Sequence, residues 1–173
     1  MIIKILSAVG LLMLLVSCKK NQETSTSMDN SEYLQNQNIT EQDIAKLKYT
    51  DYILDSKTEE VIKDWQEYYQ LQDVINNVKK ADLSFFNNNE ENIKSIPEKL
   101  KESIPEELNS ESILARLLVL ETKLFKLESL SNLSTTSKEE LLNTIKEFLV
   151  AFSHVNFQMN KKVEFDSRTI EKP

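Results

Sequence analysis

Residues 137–165 read SKEELLNTIKEFLVAFSHVNFQMNKKVEF, and how this stretch folds decides how the rest must fold. Ser137 stands three residues before Glu140, the spacing of a capping box that satisfies the free N–H groups of a helix start. Apolar residues then recur at intervals of three and four: Leu141, Ile145, Phe148, Phe152, Val155, Met159 and Val163. With 3.6 residues per turn this series lines one face, so the spacing predicts a helix over 138–165. A seam that long needs partners to cover it.

The upstream sequence supplies them. Residues 133–136 read as a turn, and before it Ile113, Leu117, Leu120, Leu124 and Leu127 mark a helix over 111–132. Leu114, Leu118 and Phe125 widen that stripe, more apolar surface than a surface helix needs, so it is expected to be the most buried of the set. Residues 105–110 are a link headed by a stop at Pro105. Leu83, Phe86, Ile93, Ile96, Leu100 and Ile104 predict a helix over 83–103 that skips the asparagine run at 87–89, with Pro97 expected to kink or split it. Ser56 with Glu59 has capping-box spacing, and Val61, Trp65, Tyr68, Leu71, Ile75 and Val78 predict a helix over 57–80. Thr40 with Asp43 caps a short helix through Leu47, and residues 49–54 are read as extended. Short links force neighbouring helices to run antiparallel, so the expected fold is all-α, an up-down four-helix bundle over 40–173.

Composition supports this class. The only glycine is Gly10, so nothing after it can cheaply adopt positive φ, which tight hairpin turns and phosphate-cradling loops demand. Antiparallel sheet becomes improbable. The P-loop, the dinucleotide fingerprint and the nucleophile elbow all need glycines at fixed positions and are absent.

The N-terminus carries a different message. Lys4 heads a charged start, Ile5 to Val16 form an apolar run of 12 residues, and the run Leu15-Val16-Ser17-Cys18 ends on the only cysteine. Twelve residues are too few to span a bilayer. An aliphatic residue at minus three, a small one at minus one and the cysteine resemble the lipobox of bacterial lipoproteins, over 18 of 173 residues. That resemblance implies removal of residues 1–17, a diacylglyceryl group on the Cys18 sulfur and an acyl chain on its freed amine. It also implies an outer-membrane address, because Lys19 rather than aspartate follows the cysteine; a periplasm-facing domain is expected, and surface display stays open. Residues 18–39, polar and almost without apolar side chains, read as a flexible tether. Counting from Cys18 removes Lys4 and leaves 20 basic against 28 acidic residues, a net charge of −8. Nucleic acid is not an expected partner, and adhesion to a membrane should come from the lipid. With Cys18 lipidated no thiol remains for a disulfide.

Candidate chemistry is sparse. The doublets Glu59-Glu60, Glu90-Glu91, Glu106-Glu107 and Glu139-Glu140 mostly fall in first turns, where carboxylates offset the helix dipole. His154 is the only histidine, preceded at minus three by Ala151, which removes the Glu-x-x-His pattern of di-metal bundles. No metal, cofactor or catalytic residue is expected, and an enzyme would have to work with Asp, Glu, Lys or Tyr alone. Val150, His154 and Phe157 form a second stripe, either packed under the N-terminal segment or facing a partner. Trp65, Tyr68, Tyr69, Phe85 and Phe86 cluster across one antiparallel corner, as core or as the lining of a ligand pocket. The function expected from these features is a non-enzymatic, membrane-anchored interaction module contacting another envelope protein. The alternative is a carrier or sensor for a small apolar ligand.

Overall fold

A computed structural model describes residues 38–87 and 89–168. The signal segment, Cys18, most of the tether and the last five residues lie outside the described residues. The described chain is all-helical, with no strand: α1 (Glu41–Ala45), α2 (Ser56–Ile62), α3 (Gln66–Lys79), α4 (Glu90–Glu102), α5 (Glu111–Ser131) and α6 (Lys138–Asp166). Two short 3-10 turns, Ser84–Phe86 and Glu106–Leu108, flank α4.

At 29 residues α6 is about 44 Å long, and the Ser137 hydroxyl caps it by accepting the Glu140 N–H at 3.2 Å. Its expected seam is buried from Leu141 through Met159, with Val163 half-buried. Eleven residues of α6 are buried against five of α5, so α6 and not α5 is the most buried helix. The reason is placement. α5 lies along α6 and offers its own seam to it, while Leu118 on the far side is 59% exposed. α6 is also touched by α1, α2 and the Glu106–Leu108 turn.

The single helix expected over 57–80 is two. Asp55, not Ser56, is the cap, its carboxylate accepting the Thr58 N–H at 2.8 Å, and α2 ends at Ile62 before α3 begins at Gln66. The buried face of α2 is Thr58 and Ile62, whereas an unbroken helix would have buried Val61 with Trp65. One residue of phase shift is about 100° of rotation, which a continuous helix cannot absorb. The break at Trp65, closed by its N–H on the Ile62 carbonyl at 2.8 Å, lets both faces point inward.

The second expected helix starts at Glu90 rather than at 83. Asp82 accepts the Ser84 N–H at 2.9 Å and the Asn89 amide donates to the Phe85 carbonyl at 3.0 Å, local bonds that compete with helix formation. Pro97 does not split α4, which continues to Glu102. Its ring is buried beside Leu71, Leu100 and Leu117, and that packing offsets the missing backbone bond.

Among the described residues one sits at positive φ, Ala81 at 63°. It follows α3 in a Schellman closure, with Asp82 N–H on the Asn77 carbonyl and Ala81 N–H on the Val78 carbonyl, both at 2.9 Å. A Cβ in this region costs about 1–2 kcal/mol, part of which glycine returns through its freer unfolded chain. Ala81→Gly is therefore expected to stabilise the domain by up to about 1 kcal/mol, read as a higher urea midpoint at unchanged slope.

Asp43 joins the first helix to the last. Its carboxylate accepts the Thr40 N–H at 3.0 Å, completing the expected capping box, and pairs with the Lys138 ammonium at 2.8 Å. The hydrogen bond from Lys138, then those from Thr40, hold it well below the usual carboxylate value of 3.8. A carboxyl lowered on folding contributes stability that is full above its unfolded pKa and fades as pH falls through the folded one. Acidification below the ordinary value of 3.8 is expected to release α1 first. Amide hydrogen exchange should show protection of residues 41–45 lost while that of α6 persists.

Candidate functional site

Between α1 and α2, residues 48–55 form a strap without helical structure that runs against α6. Three polar side chains of α6, spaced by three and four and so on one face, take up its backbone. The Ser153 hydroxyl accepts the Tyr52 N–H at 2.8 Å and donates to the Thr50 carbonyl at 2.7 Å. The Asn156 amide donates to the Tyr52 carbonyl at 3.0 Å, and its oxygen accepts the Tyr68 hydroxyl at 2.9 Å. Asn160 donates to the Ile53 carbonyl at 2.8 Å and accepts the Asp55 N–H at 3.1 Å. These side chains do for the strap what a neighbouring strand would do, satisfying backbone groups that would otherwise be left beside the core.

The other side of the strap borders a cleft of about 450 Å³ between it and α3. Ile62, Tyr68, Ile75 and Phe152 supply its apolar floor, Gln72 and Asn76 stand on the α3 wall, and Lys79 closes one end by pairing with Asp51 at 2.6 Å. Burial pushes the Tyr68 hydroxyl above the usual phenol range, and burial followed by the charge of Asp51 pushes Tyr49 up to about 12. Both phenols stay protonated donors at neutral pH.

The expected aromatic corner resolves into two groups. Trp65 stacks on Tyr68 and Tyr68 on Phe152, each with centroids 5.7 Å apart, and Tyr69 meets Tyr68 edge-on. Phe85 meets Phe86 at 5.4 Å, and Phe86 faces Phe148 at 6.5 Å. Phe148 and Phe152 sit one turn apart on α6, so the two groups are successive layers of core rather than walls of one pocket. Only Tyr68 and Tyr69 of the five line the cleft. Trp65 is 3% exposed, and its indole N–H donates to the Ser103 hydroxyl at 3.0 Å. Phe85 borders a separate hollow near Asn77 and Lys99.

On the second stripe of α6, Val150 is half-buried, His154 is exposed and Phe157 is 37% exposed. Tyr52 of the strap covers Phe157, centroid to centroid 4.7 Å, and the Lys161 ammonium lies 5.7 Å from the same ring. The stripe therefore packs under the N-terminal segment at Phe157 and faces solvent at His154. Next to Tyr52, Ile53 is 80% exposed.

The acidic doublets do not converge. Glu60 pairs with Lys63 and Glu90 with Lys94, each at 2.5 Å, and among the described residues no group of acidic, cysteine or histidine side chains is placed to hold a metal ion. No helix among them is long and apolar enough to cross a membrane. Ser153, Asn156 and Asn160, which organise the site, were not singled out from the sequence. Their signal was a polar residue at each step of a helix face bordering Phe152, Val155 and Met159. Compared with profiles of known protein families, with functionally characterised proteins and with solved structures, the chain matches none at a significant level.

Proposed function

We propose that this chain is a bacterial lipoprotein, held at the outer membrane through lipidated Cys18, whose helical domain works by binding another envelope protein rather than by catalysis. Its long helices would run alternately up and down, as short links favour. The observation that carries the binding reading is the surface pair of Tyr52 and Phe157 where the strap crosses α6, with the 80% exposed Ile53 following Tyr52 in the chain. Large apolar side chains grouped on a surface mark contact sites more often than scattered ones do. A photo-crosslinking side chain placed at Ile53 of the full chain in intact cells should yield discrete protein adducts. They should weaken when Cys18→Ala releases the domain from the membrane. A pattern no different from that of a crosslinker on the outer face of α5 would reject the reading.

The cleft favours a second reading, a carrier or sensor for a small apolar ligand, because its volume lies within the range of small-molecule sites. Trp65 is one ring removed from that floor through Tyr68, so its fluorescence should respond to an occupant. An unchanged signal across lipids, quinones and peptides would retire it.

A further inference from the structure

We infer that the cleft between the strap and α3 binds an extended peptide segment, which pairs with the free edge of the strap. This rests on the binding reading above and names the chemistry of the partner. Tyr52 bonds α6 through both its N–H and its C=O and Asp51 through neither, while at Ile53 the C=O is held by Asn160 and only the N–H is left over. The Asp51 N–H and C=O and the Ile53 N–H take no hydrogen bond among the described residues. Both residues border the cleft. Donors and acceptors two residues apart are what an added strand reads.

The opposite wall repeats the pattern. Gln72 and Asn76 stand one turn apart on α3, and neither side chain has a hydrogen-bond partner among the described residues. Four residues of helix rise about 6 Å, close to the two-residue repeat of about 6.7 Å in an extended chain. Two side-chain amides at that interval can each meet a peptide group of one strand, a match that a compact apolar ligand would leave unused. The buried floor of Ile62, Tyr68, Ile75 and Phe152 takes apolar side chains from alternate positions. Charge sets the polarity of one end. Asp51 and Lys79 neutralise each other, whereas Glu59 on the rim has no ion-pair partner among the described residues, so the peptide carries a basic residue near Glu59.

The probe is a pool of capped pentapeptides, acetyl-Lys-X-X-X-Ser-amide with apolar X, titrated into the ¹⁵N-labelled full chain in detergent micelles. Binding members should shift the Asp51 and Ile53 backbone amides together with the side-chain amides of Gln72 and Asn76. Methylating alternate peptide nitrogens removes backbone donors while keeping the side chains, and should weaken binding by about tenfold or more. Gln72→Leu with Asn76→Leu, on the solvent side of α3 and outside the core, should weaken it by a similar factor. A pool with no member that shifts these amides overturns the inference. So does equal binding of the methylated peptides, or anilinonaphthalene sulfonate filling the cleft where no peptide does. Equal affinity for peptides with glutamate in place of lysine overturns the role given to Glu59. Because this titration needs neither the lipid nor a cellular partner, peptides can fail here while crosslinking at Ile53 succeeds, which would put the partner on the outer patch alone.

Discussion

Phe148→Ala is expected to destabilise the domain by about 4 kcal/mol, within the range of 3–5 kcal/mol for truncating a buried phenylalanine. Phe148 is fully buried near the middle of α6 and faces the ring of Phe86, which is fully buried as well. The loss has two parts, the transfer energy of the ring and the cavity left where helices cannot close in. α6 cannot shift locally to fill it, because its other contacts lie along the same rigid helix. Domains of this size have about 5–15 kcal/mol in total, so the variant should sit near its unfolding threshold at 25 °C. Urea unfolding followed by circular dichroism checks this, with a lowered midpoint and unchanged slope expected. A loss below about 1.5 kcal/mol would mean that the two aromatic layers are not the core of the fold.

Asn156→Ala is expected to cost about 3 kcal/mol, more than a single neutral hydrogen bond normally contributes. Asn156 is 4% exposed and serves two partners at once, the Tyr52 carbonyl and the Tyr68 hydroxyl. Truncation leaves both without their bond, and Tyr68, a residue 1% exposed, loses the partner its hydroxyl has in the folded chain. An orphaned buried polar group costs about 1–3 kcal/mol, whereas removing both members of a pair costs far less. Tyr68→Phe should therefore restore part of the loss when combined with Asn156→Ala, and a double-mutant cycle should give a coupling of at least about 1 kcal/mol. Additive effects would show that the buried bond does not join strap, α3 and α6.

Periodicity made the long elements legible. The series from Leu141 to Val163 located α6 to within one residue at its end, and Thr40 with Asp43 located the start of α1, which ends at Ala45 rather than running through Leu47. The break between α2 and α3 was hidden because its cause is the burial of Thr58, a residue an apolar pattern does not count. The late start of α4 was hidden because side-chain bonds of Asp82 and Asn89 outweigh a stripe that began at Leu83. The aromatic residues were visible, but not their division between two layers, which depends on how Phe148 and Phe152 of a distant helix come between them. The strap site was the least legible. Serine and asparagine on a helix look like solvent-facing residues until the backbone they bond is known, and here that backbone lies about 100 positions away.

That separation sets an order in time. The bonds holding the strap span 101 to 107 positions, so residues 50–55 are made long before the helix that secures them. At about 5–20 residues per second the strap leaves the ribosome some 5–20 s ahead of α6. A bare extended segment can pair wrongly during that wait. Residues 50–55, Thr-Asp-Tyr-Ile-Leu-Asp, keep an acidic residue near each end of their apolar triplet, the flanking charge that discourages such pairing. The same short stretch must thus remain harmless while alone and become well held once Ser153, Asn156 and Asn160 arrive.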